Sequence, residues 1–125
     1  MKIEFLKDGA RDCPLIRLYE FTEDDVRRLR QIALRLAKGR NEVVALHEEP
    51  GVVPIGGCQL TLHRAEQDRG VFQIALLKFE WVCAKSGWLT VAGLIRPFSR
   101  SNIGGWQWLC KTGKIAILFS RDGRW

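Results

Sequence analysis

The clearest pattern in the sequence is a run of apolar residues at helical spacing over residues 23–38. The apolar positions recur every three or four residues, at Val26, Leu29, Ile32, Ala33, Leu36 and Ala37. Thr22 followed by three acidic residues is typical of a helix N-cap and first turn. Lys38 and Gly39 are typical of a helix C-terminus. The pattern predicts an amphipathic helix over 23–38 with one buried face.

Short apolar runs predict strands along the rest of the chain. They cover residues 2–7, 15–21, 42–47, 58–64, 71–84, 106–110 and 115–120. Within 71–84 the alternation changes parity, because Phe72 and Trp81 would face opposite ways. A β-bulge or a tight turn near Leu77 would explain the change. After this segment, apolar residues at helical spacing predict a short second helix that ends near Pro97.

The last two strands are predicted to form a hairpin with a two-residue turn at 112–113. In that register Trp106 and Trp108 share one apolar face with Ile117 and Phe119. We therefore expect both tryptophans in the core and not on a ligand-binding surface.

One long helix among many short strands favours an α+β fold over a doubly wound α/β fold. We predict a single α+β domain over residues 1–125, with a mostly antiparallel sheet of six to eight strands packed on the long helix. A chain of 125 residues can bury enough surface to fold without a metal or a disulfide.

Charge is distributed unevenly along the chain. The formal net charge is +6, yet residues 1–50 carry equal numbers of basic and acidic groups, so the whole excess follows Pro50. All five tryptophans also follow Pro50. Cations bind phosphate and flat rings stack on bases, so this mixture suits a polyanion-binding surface. A basic protein with a tryptophan-rich core would have the same composition.

The C-terminal bases supply the candidate polyanion-binding residues. These are Lys111, Lys114, Arg121, Arg124 and Trp125. An ordinary solvated hairpin tip is the alternative. The arginines of the long helix, by contrast, are predicted to be solvated surface, because Arg27 and Arg28 follow Glu23 and Asp24 at a spacing that favours ion pairs.

A Cys–His pair near the 51–58 loop is the candidate for catalysis. Cys58 follows two glycines whose amides could stabilise an oxyanion. His63 lies five residues further along a strand, so its side chain should point to the opposite face, and His47 could approach only through tertiary packing. A buried, structural Cys58 is therefore the favoured interpretation.

The four cysteines form no C-x-x-C pair, so we predict reduced thiols and neither a metal site nor a cofactor. No segment is long and apolar enough to span a bilayer, and Glu4 interrupts any signal-peptide core, so we expect a cytoplasmic protein without a membrane partner.

Three runs resemble segments of a family of small bacterial proteins to which no function is assigned. They are Ile-Arg-Leu-Tyr-Glu-Phe at 16–21, Pro-Ile-Gly-Gly-Cys-Gln-Leu-Thr-Leu at 54–62 and Val-Ala-Gly-Leu-Ile at 91–95. The resemblance implies a bacterial protein, but no activity, ligand or site residue.

These observations favour a small non-catalytic binding domain, whose partner is another protein or a second copy of the chain. The first alternative is weak, sequence-independent binding of nucleic acid or another polyanion through the basic C-terminal half. The second alternative is a small enzyme that uses the Cys–His pair.

Overall fold

The computed structural model of the protein describes residues 1–100 and 103–125. The described residues form nine β-strands and two α-helices, so the predicted α+β fold class is confirmed. The strands are β1 (Lys2–Leu6), β2 (Leu15–Tyr19), β3 (Val43–Ala45), β4 (Val53–Pro54), β5 (Gln59–Arg64), β6 (Gly70–Ala75), β7 (Lys78–Cys83), β8 (Trp106–Cys110) and β9 (Ala116–Ser120). The helices are α1 (Glu23–Ala37) and α2 (Lys85–Ile95), and a 3₁₀ helix (Arg96–Ser99) follows α2 directly.

The nine strands are divided between two mixed sheets, whereas the sequence predicts one mostly antiparallel sheet of six to eight strands. The first sheet has the order β4-β1-β2-β9-β8, and the second has the order β3-β5-β7-β6. Three pairs, β1–β4, β2–β9 and β5–β7, are parallel, and the other four are antiparallel. The sequence indicates which segments are extended, but the choice of partners, and hence the division into two sheets, depends on tertiary packing.

Helix α1 confirms the predicted helix. The Thr22 hydroxyl accepts a hydrogen bond from the Asp25 backbone N–H, and the Asp25 carboxylate accepts one from the Thr22 N–H, which completes a capping box. Lys38 is the C-cap, and Gly39 follows with a positive φ of 72°. The apolar face is buried in a core that contains residues of both sheets and both helices.

Helix α2 is anchored to the second sheet by two tryptophans. The Trp88 indole N–H donates to the His63 carbonyl oxygen at 3.0 Å, and the Trp88 and Trp81 ring centroids are 4.9 Å apart. Both side chains are fully buried. Within residues 1–100 and 103–125, no helix has the length and apolar composition that crossing a membrane requires.

The predicted change of parity within 71–84 has two causes in the structure. The segment forms two strands, β6 and β7, with a tight turn in which Leu77 has a φ of 58°. A register shift between Gln73 and Ala75 also places a bulge at Ile74. The tight turn and the β-bulge that the sequence suggested as alternatives are therefore both present.

The prediction that Trp106 and Trp108 lie in the core is wrong. Trp108 pairs with Leu118, one residue beyond the expected partner, because the connection is longer than two residues and a bulge follows Trp108. A shift of one residue moves the side chains to the other face of a sheet. Ile117 remains in the core, while Trp108 is half-buried on the outer face and Trp106 is 47% exposed.

Asp25 predicts an acid-dependent loss of stability. Burial alone would raise the pKa of its carboxyl, but hydrogen bonds from the Thr22 N–H and the Met1 amino group outweigh burial and hold the pKa below its usual value of 3.8. The resulting stabilisation is complete above that usual pKa and is lost as the pH falls below it. We expect Asp25→Asn to lower the free energy of unfolding by about 1 kcal/mol near pH 7, and by much less at about pH 2.

Denaturant unfolding at the two pH values tests this expectation. Asp24→Asn is the matched control, because it removes the same charge from the same turn but disturbs only an exposed ion pair with Arg27. An Asp25→Asn effect of equal size at both pH values would contradict the argument.

Candidate functional site

A broad groove of about 770 Å³ lies between the exposed side of α1 and the 3₁₀ helix (Arg96–Ser99). A second depression, of about 480 Å³, continues along the 3₁₀ helix and shares Arg96 and Ser99 with the first. We call the two together the arginine groove, after the arginines that line it: Arg27, Arg28, Arg30, Arg96 and Arg100. Asp24 is the only carboxylate that lines the groove among the described residues. The surface is therefore strongly cationic.

The helix arginines do not form the pairs predicted from their spacing. Arg27 pairs with Asp24, and the Arg28 guanidinium donates to the Pro50 carbonyl oxygen at 3.1 Å. Arg30 differs from both, since its Nε is buried and has no hydrogen-bond partner among the described residues. A buried donor without an acceptor costs free energy.

Three phenylalanines hold the 3₁₀ helix beside α1. The Phe21 and Phe119 rings stack in parallel with centroids 4.0 Å apart. Phe98, in the 3₁₀ helix, packs edge-on against both, at 5.9 Å from Phe21 and 5.1 Å from Phe119. These contacts fix the position of Arg96 and Arg100 relative to the arginines of α1.

Arg121, one of the predicted polyanion-binding residues, reinforces this arrangement. Its guanidinium donates to the carbonyl oxygens of Phe98, Arg100 and Ile103 and lies 5.2 Å from the centroid of the Phe21 ring. Three of the donors of Arg121 are thus committed to the backbone that forms the rim of the arginine groove. Arg121 is a positioning residue in this structure.

The other predicted residues lie at the hairpin end and the C-terminal tail. Asp12 connects two of them, because its carboxylate is 3.6 Å from Lys111 Nζ and accepts a hydrogen bond of 3.1 Å from the Trp125 indole. Lys111 also lies 4.6 Å from the centroid of the Trp108 ring. Lys114 and Arg124 are exposed. The structure thus brings Lys111 and Trp125 together and turns Arg121 toward the arginine groove.

The Cys–His alternative is not supported by the geometry. Cys58 is fully buried, and burial raises the pKa of its thiol to about 11. His47 Nδ1 accepts a hydrogen bond from the Leu60 N–H at 3.1 Å, and His63 lies 3.2 Å from the Glu80 carboxylate. No hydrogen bond among the described residues joins Cys58 to either histidine. A thiol that stays protonated at neutral pH is a poor nucleophile.

The described residues contain no group of three His, Cys, Asp or Glu side chains arranged to hold a metal ion. All four cysteines are free thiols, and two of them, Cys58 and Cys83, are buried.

The thiols provide a direct test of burial. Burial also raises the pKa of Cys83, to about 12, with further contributions from Asp68 and Cys110. We expect iodoacetamide to modify the partly exposed Cys13 and Cys110 in the native protein, and Cys58 and Cys83 only after unfolding. Mass spectrometry without a reductant should find all four thiols once the chain is denatured. Rapid native modification of Cys58, or a disulfide, would contradict the structure.

Sequence reasoning missed the arginine groove because its two walls are distant in the chain. Arg27 and Arg30 share one side of α1, which is a visible signal, but nothing local indicates that Arg96 and Arg100 lie opposite them.

The chain was compared with protein-family models, curated proteins and solved structures. No family model, no curated protein and no solved structure matches it.

Proposed function

We propose that the protein binds the phosphate backbone of nucleic acid through the arginine groove, without base-sequence specificity. The observation that carries the proposal is Arg30, which lines the groove and has a buried Nε without an acceptor among the described residues. Leaving such a donor unsatisfied costs about 1–3 kcal/mol. A phosphate oxygen would remove this cost once the Arg30 side chain turns its Nε toward the groove.

The charge and shape of the groove favour a polymer over a small anion. Five arginines and a single aspartate are spread along α1 and the 3₁₀ helix and do not converge on one enclosed point. Arg27 and Arg30 are separated by about 4.5 Å of helix rise. The two guanidinium groups can therefore contact different phosphates of one strand. Planar guanidinium groups also bind phosphate in a bidentate manner, which suits backbone contacts.

The C-terminal residues predicted from the sequence enter the proposal as a separate, auxiliary set. Lys111, Lys114 and Arg124 are exposed cations, and Trp125 lies beside Lys111 through Asp12. Arg121 contributes by holding the rim of the groove. We also propose, as expected from the sequence, that the protein is bacterial and cytoplasmic. Nucleic acid is abundant in the bacterial cytoplasm.

Salt-dependent binding tests the proposal. We expect the wild-type protein to bind labelled oligonucleotides at about 50 mM salt, and its affinity to fall with a log–log slope of roughly −3 to −4 as about four phosphates are neutralised. Replacing three groove residues, Arg27→Gln, Arg30→Gln and Arg96→Gln, should reduce that slope by about 2 and weaken binding at least about tenfold. Fluorescence anisotropy measures both quantities.

Two charge-matched variants accompany the measurement. Lys7→Gln, Lys38→Gln and Lys78→Gln remove three exposed cations that do not line the groove. Lys111→Gln, Lys114→Gln and Arg124→Gln remove the hairpin and tail cations. An equal loss of affinity in all three variants would show that net charge alone matters. A larger loss of affinity in the variant that lacks the hairpin and tail cations would place the site at the hairpin. Either result, or no wild-type binding, contradicts the groove as the site.

Self-association is a second candidate, favoured by the β6–β7 hairpin. Ile74 and Leu76 are 57% and 84% exposed, Phe72 beside them is also exposed, and residues 70–77 carry no charge. Natural edge strands are usually protected by charged residues, so an uncharged apolar edge is typical of an interface. The bulge at Ile74 disfavours backbone pairing, and contact between the apolar side chains of two copies is the arrangement we expect.

Sedimentation equilibrium tests the second candidate. At about 100 μM, a concentration well above a micromolar dissociation constant, the wild-type chain should be dimeric and the double variant Ile74→Lys/Leu76→Lys should be monomeric. Val53→Lys, at an exposed apolar position of the first sheet, should leave the dimer intact. A monomeric wild-type protein at this concentration would contradict self-association through the hairpin.

A further inference from the structure

A cleft of about 240 Å³ opens where β8 of the first sheet meets β7 and α2. It is separate from the arginine groove, and no residue lines both. The buried side chains of Trp81, Cys83 and Leu109 line its interior, and the exposed residues Asp68 and Lys111 lie at its mouth. A largely apolar interior with a few polar groups is the usual composition of a small-molecule site.

The Trp81 indole N–H is a buried donor at this cleft. Trp81 is fully buried, and its Nε1 has no hydrogen-bond partner within residues 1–100 and 103–125. Burial raises the pKa of the Cys83 thiol to about 12, and Trp81 acts on that pKa in the opposite direction, as an N–H directed at the sulfur does. A thiol is a weak acceptor, so an oxygen atom in the cleft would bind the indole N–H more strongly.

The neighbouring tryptophan shows that the missing partner is specific to the cleft. Trp88 is buried beside Trp81, yet its indole N–H donates to the His63 carbonyl oxygen at 3.0 Å. Trp88 does not line the cleft, whereas Trp81 does. Buried donors usually have acceptors, so the donor of Trp81 calls for an explanation that Trp88 does not.

The cleft also offers an acceptor. The Thr112 carbonyl oxygen lies 2.9 Å from the position that a Cβ would take at Gly70, and both residues line the cleft. This oxygen receives a long hydrogen bond of 3.9 Å from the Cys110 thiol, which is a weak donor. A carbonyl oxygen has two lone pairs, so it can accept a second, stronger bond.

The charged groups at the mouth of the cleft already have partners. The Asp68 carboxylate accepts a hydrogen bond of 2.7 Å from the Ala84 N–H, and Lys111 Nζ lies 3.6 Å from the Asp12 carboxylate. A charged ligand in the interior of the cleft would lack a counter-charge, and burying an unpaired charge is costly. The cleft therefore favours an uncharged ligand.

We infer that the cleft binds a small, uncharged molecule with a carboxamide group, whose carbonyl oxygen accepts from the Trp81 N–H and whose own N–H donates to the Thr112 carbonyl. The volume of about 240 Å³ equals that of about eight water molecules in the liquid. A single ring with its amide group is therefore near the upper limit of size. This second site is independent of the proposed function.

Benzamide is the probe, and NMR signals of the indole N–H groups report its binding. Titration to about 10 mM should shift the Trp81 signal with saturation, and the dissociation constant should be about 1 mM or lower. The Trp88 signal should shift less, because its N–H already has an acceptor. The Trp81→Phe variant identifies the Trp81 signal by its loss.

Benzoate and benzylammonium test the preference for an uncharged ligand. Each keeps the ring of benzamide but replaces the amide with an anion or a cation. We expect each to bind at least about tenfold more weakly than benzamide. Equal or tighter binding of either ion would contradict the proposed ligand class.

Two matched substitutions test the role of the indole donor. Trp81→Phe keeps an aromatic ring but removes the N–H, and it should weaken benzamide binding about tenfold, the equivalent of one hydrogen bond. Trp88→Phe removes a donor that is bonded within the protein, so it should lower the melting temperature and leave the affinity unchanged.

Alkylation of Cys110 tests the site without disturbing the core. Iodoacetamide forms a bond to the Cys110 sulfur, with release of the thiol proton and iodide, and leaves a carboxamide tethered to a residue that lines the cleft. In the Cys13→Ser variant this reaction should lower benzamide affinity at least about tenfold, since the tethered amide competes for the same groups. In the Cys110→Ser variant, alkylation of Cys13, which lies outside the cleft, should have no effect.

The outcomes decide the inference without touching the arginine groove. A Trp81 signal that does not shift with saturation up to about 10 mM benzamide means that the cleft holds only water, and this overturns the inference. Unchanged affinity after Cys110 alkylation would place benzamide elsewhere and overturns it as well. Nucleic-acid binding is measured separately, so neither result bears on the proposed function.

Discussion

Three phenylalanine rings from distant parts of the chain meet behind the arginine groove, and the site depends on their packing. Phe21 precedes α1, Phe98 belongs to the 3₁₀ helix and Phe119 lies in β9. Parallel-stacked and edge-on contacts of this kind add about 0.5–1.5 kcal/mol per pair beyond the burial of apolar area. The rings thereby join the first sheet, the start of α1 and the end of α2. Arg121 completes the arrangement by donating to the carbonyl oxygens of Phe98, Arg100 and Ile103.

The groove gathers like charges that the fold itself does not need. Arg27, Arg30, Arg96 and Arg100 repel one another, although solvent and salt screen much of the repulsion at an exposed surface. Apart from the exposed ion pair of Arg27 with Asp24, their position is set by the apolar packing of the elements that carry them. Repulsion among the arginines lowers the stability of the fold, and the packed core around them compensates for it. Such a local conflict is expected at a binding site.

Local signals in the sequence were enough for some elements and insufficient for others. Helix α1 could be predicted because its cap, its apolar spacing and its C-terminal glycine all lie within one short segment. The exposure of Trp106 and Trp108 could not be predicted, because a single bulge after Trp108 changes the register of the last hairpin. The groove could not be predicted either, since it requires the packing of Phe98 against Phe21 and Phe119. Arg121 looked like a free surface cation, but its role is determined by carbonyl groups that only tertiary structure brings near.

The parallel pairing of β2 with β9 has a consequence for how the chain reaches this fold. Leu15 pairs with Ala116, so the central strand of the first sheet waits for a partner made about 100 residues later. At about 5–20 residues per second, this interval lasts on the order of 5–20 s during synthesis. Throughout that time β1 can pair with one side of β2, while the other side remains an open edge. Contacts of such long sequence separation also slow folding, because the entropy of closing the loop is lost before the pairing stabilises it. The first sheet is therefore completed only after β9 has left the ribosome.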